Sequence, residues 1–456
     1  MTALLARQLG GFRLRPGKPM GDEMQLLPDR PRVAGSALTT THFLLLYAAM
    51  LVAAAGNTAL QSVMPAIGRE IGISDFWVTI SYTWSAVLWV TLAPFWARQS
   101  DRHGRKALTL LGVGGFISSM ILCGLVLLAG LNGALAGGLT FFAFAIARAL
   151  YGSLGCATPS ATQAYLASRT RRSSRVEALS ALSSSFSLGT IVGPALAPLF
   201  VLPLLGLSGP LFAFAAVGIA VFVAISIGLP DDARPRQGRR RGHGAAMSYP
   251  SLASAPTGAS VIAATRPKGP RLKWNDSRIR NWIVAGVLAG HAQAATLACI
   301  GFFVIDRLAL APHGSEQSIA IVMMAGAAAT LAAQWGLIPR LRLKPRGMIL
   351  WGAAIAGAGL LITMVASDLY GLVLGFGIAS LGFGFVRPGF TGGASLAVPL
   401  TEQGGVAGVV TAANGLSFVA APGIGMLLYG IDTHWPFIVG AALLLVVILW
   451  GRRSLA

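Results

Sequence analysis

Twelve separate runs of about 20 apolar residues dominate this sequence, and no other feature constrains the fold as strongly. They fall near 42–66, 76–96, 107–130, 138–166, 177–203, 209–229, 279–305, 316–338, 348–366, 370–395, 405–430 and 434–451. Roughly 20 helical residues cross a bilayer core, and in lipid only a helix or a closed barrel satisfies every backbone polar group. Each run is too long and too uniformly apolar for an amphipathic surface helix, which would carry a charged face. Twelve crossings of about 21 residues need roughly 250 positions, and the apolar 55% of 456 residues supplies about that number. Only 11% of the residues are charged, against roughly a quarter in soluble proteins. The expected fold class is therefore an all-α polytopic membrane protein.

The net charge of +20 would suit a nucleic-acid partner if the cations lay on one soluble domain with stacking aromatics. They do not. Of 35 Lys and Arg, 31 fall in six segments: the first 41 residues, the loops after spans 2, 4 and 8, the central loop with the start of span 7, and the last few residues. Only Arg69 and Arg307 lie in the opposite set of loops, and Arg148 and Arg387 lie inside spans. The positive-inside rule then places both termini and the central loop in the cytoplasm, in an inner (plasma) membrane of bacterial type, with no nucleic acid as partner. The loop after span 10 carries no cation, only Glu402.

Residues 1–41 precede any long apolar run and read as an Arg-bearing disordered tail rather than a secretory signal peptide, with Met20 and Met24 as alternative starts. Segment 230–278, rich in Pro, Gly, Ser and Arg, cannot build a core and reads as a flexible linker. It joins two six-span halves, 42–229 and 279–456. Cys123, Cys156 and Cys299 all lie within apolar runs and give neither metal spacing nor a disulfide framework, so no cofactor or metal is expected.

The two halves are related. RKALTLLG at 105–112 aligns with PRGMILWG at 345–352, Arg148-Ala149-Leu150-Tyr151 in span 4 with Arg387-Pro388-Gly389-Phe390 in span 10, and Gly193-Pro194 in span 5 with Ala421-Pro422 in span 11. Internal duplication of this sort is a common way to build transporters.

Three segments carry chemistry. The loop after span 2 reads Trp96-Ala97-Arg98-Gln99-Ser100-Asp101-Arg102-His103-Gly104-Arg105-Lys106. Orientation alone calls for no acid there, and a carboxylate before a Gly turn and paired cations can latch neighbouring helices in one state and free them in another. The loop resembles the signature G-x-x-x-D-R-x-G-R-R/K of the major facilitator superfamily, with Ala97 in place of the first Gly. The resemblance implies a gating latch of Asp101, Arg102, Gly104, Arg105 and Lys106. The corresponding loop of the second half, Pro339 to Arg346, keeps cations and lacks the acid.

An Arg inside a span is costly unless it faces a cavity or a partner. Arg148 with Gly152 resembles the superfamily's span 4 motif, whose Arg is linked to proton transfer. In span 5, Gly189, Gly193 and Pro194 permit close helix contact and a kink. They resemble the G-x-x-x-G-P-x-x-G-G motif of exporter branches, although Ala197-Pro198 replaces the final Gly pair. Over residues 42–451 the chain is similar to twelve-span drug:proton antiporters of the tetracycline-exporter kind. The resemblance implies two pseudo-symmetric six-helix bundles, a monomer in the bilayer, and a small-molecule substrate exchanged for protons.

On that fold, polar side chains within spans should line a central substrate cavity. The candidates are Asn57 and Gln61, which share a helix face four residues apart, with Arg148, Gln163, His291, Gln293, Arg387 and Asn414. None of the 15 Asp and Glu lies near the middle of a span, so the charge relay is assigned to Arg148, His291 and Asp306. A membrane enzyme would need clustered acids, paired His or an activated nucleophile, and a channel would not need the repeat or the latch. The expected function is proton-coupled efflux of a small amphipathic compound such as a drug, antibiotic or metabolite. The alternative is import or export of an organic anion or a metal-chelating metabolite such as a siderophore.

Overall fold

The computed structural model describes residues 38–170, 175–231, 273, 275–399 and 402–455. Residues 1–37 of the expected disordered tail (1–41) and nearly all of the expected linker lie outside the described residues; the tail's last residues are described, and helix already begins at Thr40. Among the described residues the protein is helical, with one isolated bridge between Leu202 and Gly206 and no strand.

The spans begin and end where local chemistry dictates. Span 1, Thr40–Glu70, starts at a reciprocal cap in which Thr39 Oγ1 accepts from the His42 N–H at 3.3 Å and His42 Nδ1 accepts from the Thr39 N–H at 3.4 Å. It stops before Gly72, whose φ of 79° is a left-handed value that glycine adopts without strain. Span 2, Asp75–His103, places an acid in its first turn, where the helix dipole favours it. A single residue, Gly104 at φ 96°, turns the chain from span 2 into span 3, Arg105–Leu131.

Span 4 is Gly137–Leu150, one wide π turn at Tyr151–Gly155, and Ala157–Arg169. Span 6 is Gly209–Gly228 and span 7 is Arg280–Arg307. Span 8 runs from Glu316–Leu331 through a second π turn, Ala332–Leu337, to Ile338–Leu341. Spans 9 to 12 are Pro345–Val365, Leu369–Leu396, Gln403–Ile431 and Trp435–Ser454.

Eleven helices among the described residues are long and apolar enough to cross a membrane. The expected span 5 differs: it forms helix Arg175–Leu196 followed by a 3₁₀ turn, Ala197–Phe200, and its apolar described stretch is the shorter 184–200. The serines and Glu177 in its first half dilute the apolar character, and Pro194 and Pro198 shorten the regular helix that was read as continuing to 203.

The packing repeats with a shift of six spans. Span 1 packs on spans 5 and 6, as span 7 packs on spans 11 and 12. Span 3 packs on spans 4 and 6, as span 9 packs on spans 10 and 12. Between the halves, span 2 meets span 11 and span 5 meets span 8. A six-span shift exchanges those two interfaces, so the halves are two six-helix bundles related by a pseudo-twofold axis.

Lipid offers as apolar a surface as leucine, so the helices associate through close packing rather than burial from water. Spans 9 and 10 show this best: a Cβ added to Gly359 would lie 2.1 Å from the Ala379 amide nitrogen, and one on Gly382 2.3 Å from that of Ala356. Large side chains such as Phe116, Phe144, Phe303 and Phe437 fill the interior, while Leu125, Phe142, Ile227 and Leu374 are exposed, as a lipid-facing surface requires.

Candidate functional site

The main cavity lies between the bundles and encloses about 890 Å³ of empty space, part of it open to solvent. Its walls come from spans 1, 2, 4, 7, 8 and 11, so both halves contribute. Asn57, Gln61, Thr79, Tyr82, Thr83 and Arg148 form a polar side, all from the first bundle. Met64, Leu297, Phe302, Met323 and Phe418 form an apolar side, largely from the second. The cavity is therefore amphipathic, with a few polar groups set among apolar walls as in small-molecule sites.

Arg148 is the centre of the polar side. Its side chain is 2% exposed. The guanidinium lies 5.1 Å from the ring centroid of Tyr82 and 4.8 Å from that of Tyr151, both cation–π distances. Its Nη2 donates a short hydrogen bond to Asn57 Oδ1. Among the described residues, Nε and Nη1 have no hydrogen-bond partner, and neither do Gln61 Oε1, Tyr82 Oη and Thr83 Oγ1 on the same cavity. No Asp or Glu lines the cavity, and none is buried among the described residues. The π turn begins at Tyr151, three residues after Arg148. There the chain passes so close to span 2 that a Cβ on Gly152 would sit 2.4 Å from the Ser85 carbonyl oxygen. Local widening of this kind is common beside functional sites.

The other sequence-selected polar residues separate into groups. Gln293 lines a second, smaller cavity with Thr58, Thr296 and Thr330. Gln163 is buried in span 4 and Arg387 in span 10, and neither lines a cavity wall described above. His291 Nδ1 lies 2.8 Å from the Val287 carbonyl of its own helix, which fixes that nitrogen as the donor. Neither His291 nor Asn414 lines either cavity. Of the eight polar candidates, Asn57, Gln61 and Arg148 therefore line the main cavity and Gln293 the smaller one.

At the end of the molecule opposite the cation-rich loops, the bundles are tied together. Arg69, at the end of span 1, donates to Asp306, at the end of span 7, in a short ion pair and again through Nη2 at 2.9 Å. Nε and Nη2 of the same Arg69 also hold Asp75 at the start of span 2, at 3.2 and 2.7 Å. Tyr429 of span 11 donates its hydroxyl to Asp306. Sequence reasoning selected Asp306 but missed Arg69, Asp75 and Tyr429. The available signal was the repeat: Arg69 and Asp306 end spans 1 and 7, which are equivalent.

At the other end, Gly104 makes the expected tight turn, and Lys106 pairs with Asp231 at 3.0 Å. The side chains of Asp101 and Arg102 lie outside the described residues. Arg278 bridges Asp276 at 2.8 Å and Glu402 at 2.7 Å, joining the entry of span 7 to the loop before span 11. The Arg278 guanidinium and backbone N–H hold the Asp276 carboxyl down to about 2. In span 5, added Cβ atoms on Gly189 and Gly193 would meet the Leu51 and Ala55 carbonyl oxygens at 2.6 and 2.2 Å. Thr58 bonds across to the Gly189 carbonyl at 3.3 Å. These glycines bring span 5 against span 1, beside Asn57.

Known proteins fit this arrangement. The sequence profile described as Major Facilitator Superfamily matches residues 46–346. The multidrug resistance protein MdtG of Proteus mirabilis (strain HI4320) is 28% identical over 174 residues, 37% of this chain and 40% of that protein. The chain thus aligns with about two fifths of that relative's length. Among solved structures, the human organic anion transporter MFSD10 (TETRAN) superposes with a TM-score of 0.60 at 16% identity, over 90% of this chain and 99% of the other. The nucleoside transporter NupG superposes with a TM-score of 0.66 at 11% identity, over 91% and 100%. At these identities the likeness to the two structures is one of fold.

Proposed function

The chain belongs to the Major Facilitator Superfamily of membrane transporters, and from that premise we propose that it exports a small amphipathic compound in exchange for protons. The observation that carries this reading is the cavity itself. It lies between two pseudo-symmetric bundles, is polar on one side and apolar on the other, and has an inter-bundle ion pair beyond it at one end. Rocking of the bundles about such a cavity is alternating access: one end seals while the other opens.

The direction of transport draws support from the likeness to a multidrug resistance protein and from the close packing of spans 1 and 5 at Gly189 and Gly193. The fold does not select the substrate, since solved relatives of the same architecture include an organic anion transporter and a nucleoside transporter. Under the positive-inside rule the Arg69–Asp306 seal faces outward and both termini face the cytoplasm of a bacterial cell, the protein acting as a monomer.

In this scheme Asp306 and Arg148 are the charge-relay groups. Protonation of Asp306 would remove the charge that holds Arg69 and so favour outward opening. His291 carries less of the scheme, because its Nδ1 is committed to its own helix. The Asp101–Lys106 loop is assigned the reciprocal, inner latch.

The test is transport in everted membrane vesicles with an imposed pH gradient, over a panel of lipophilic drugs and organic acids. Uptake that requires an acidic lumen supports proton-coupled export. Uptake indifferent to the gradient, or driven only when it is reversed, refutes it.

A further inference from the structure

A buried guanidinium normally has its charge answered by a carboxylate, because leaving an ion uncompensated in a low-dielectric site is expensive. Arg148 has no such carboxylate among the described residues. Its single hydrogen-bond partner among the described residues is the amide oxygen of Asn57, a neutral group. The ring faces of Tyr82 and Tyr151 supply cation–π contact but no formal charge. Two of its nitrogens and the Tyr82 hydroxyl, all able to donate, have no acceptor. The opposite wall, with Leu297, Phe302 and Met323, is apolar.

We infer that Arg148 is a substrate-anchoring residue and that the substrate is an organic anion: an anionic oxygen group docks on Arg148 and Tyr82, and an apolar or aromatic body lies against the second bundle. The inference rests on the transporter reading and deepens it by naming the substrate class. Asn57 serves as the positioning group, fixing the guanidinium by accepting from Nη2 so that Nε and Nη1 stay available. An acid at position 57 would neutralise the guanidinium and favour a neutral or cationic ligand. An anion entering the cavity completes the hydrogen bonds of Arg148 and supplies the missing charge. A cation of the same shape would meet like charge with no carboxylate to offset it. The bound anion thus touches both bundles, its ionised group on the first and its apolar body on the second, where its presence can bias their relative position.

The test compares three ligands with one ring system: 2-naphthoate, 2-naphthamide and 2-naphthylmethylammonium. Each is titrated calorimetrically into the full-length purified protein in lipid nanodiscs, without any gradient. A hydrogen bond to a charged group contributes enough to change affinity by about tenfold to a hundredfold. Naphthoate should therefore bind at least about tenfold more tightly than the amide, and the ammonium more weakly than either. Arg148→Gln should abolish the preference, bringing naphthoate to within about twofold of the amide measured in the same variant. Arg148→Lys should retain part of the preference, since the charge survives but the planar donor set does not.

The parent protein's own ranking of the three ligands tests the inference even where Arg148→Gln fails to fold. Absence of naphthoate binding, an amide or ammonium that binds as well as naphthoate, or a preference that survives in Arg148→Gln overturns it. Because no gradient is present, these failures leave the direction and proton coupling untouched. A failure of the vesicle assay likewise leaves the binding result standing.

Discussion

Replacing Asp306 by Asn should loosen the seal between the bundles at the end that carries Arg69. Asp306 joins span 7 to Arg69 of the first bundle while Tyr429 steadies it from span 11. The amide keeps the shape and loses the charge. Arg69 retains Asp75 at 2.7 Å, so the mutation removes the inter-bundle half of the pairing and leaves no orphaned cation. Hydrogen bonds to charged groups contribute about 1.5–3 kcal/mol each, and exposed ion pairs typically below about 1 kcal/mol. The side chains of Arg69 and Asp306 are 21% and 36% exposed, so solvent screening places the loss between these limits, at about 1–2 kcal/mol. That shifts the ratio of open to closed forms by roughly 5- to 30-fold.

The assay places a reporter cysteine at Leu297, on the cavity wall, and follows its labelling by a membrane-impermeant maleimide added to the face that carries Arg69. The native Cys123, Cys156 and Cys299 are buried and should give little background. The labelling rate is expected to rise by that factor in the Asp306→Asn protein, and by about fivefold in Tyr429→Phe, which loses one hydrogen bond. An unchanged or slower rate in Asp306→Asn would refute the reasoning, since the pair would then contribute nothing to holding this end shut.

Three further outcomes are expected. Gly193→Ala puts a Cβ 2.2 Å from the Ala55 carbonyl oxygen and 2.3 Å from Thr58 Oγ1, so spans 1 and 5 must separate; overpacking of this kind costs about 1–3 kcal/mol and should appear as a lower melting temperature and slower transport. Asp101→Asn should reduce turnover more than ligand affinity if its loop is the inner latch, and equal transport rates in mutant and parent would discard that role. The Asp276 carboxyl, held down to about 2 by Arg278, contributes stability that is complete above the ordinary carboxylate pKa of about 3.9 and is lost only as pH falls through about 2. The difference in melting temperature between Asp276→Asn and parent proteins should therefore stay constant from pH 5 to pH 8, and a gap that changes within that window would contradict the assignment.

Which residues meet across the bundles was far less legible than the bundles themselves. Asn57, Gln61 and Arg148 were selected because polar groups inside spans must face something other than lipid, and all three share the main cavity. The same argument selected His291, Arg387 and Asn414, which do not. Polarity says that a residue avoids lipid, but a helix–helix contact and a cavity satisfy that demand equally well. Tyr82, Tyr151 and Trp89 were passed over because an aromatic side chain in an apolar helix gives no periodic or charge signal. Two of their rings flank the Arg148 guanidinium. The shortened span 5 shows the same limit at the level of elements: a run of apolar residues fixes that a segment is buried or spans, whereas Pro194, Pro198 and the serines decide where regular helix stops.

The sequence by itself determined that the chain crosses a membrane many times, which ends face the cation-rich side, and that it consists of two related halves. Those properties follow from local sums: hydropathy over about 20 residues, the placement of Lys and Arg, and a repeated register. Only the tertiary structure decided that Arg69 reaches Asp306, 237 positions away, and that Arg148 lies between two tyrosines with no acid beside it. Both depend on the rotation of each helix about its axis, which is set by close packing at small residues such as Gly152, Gly189 and Gly193 rather than by any property of the spans read one at a time.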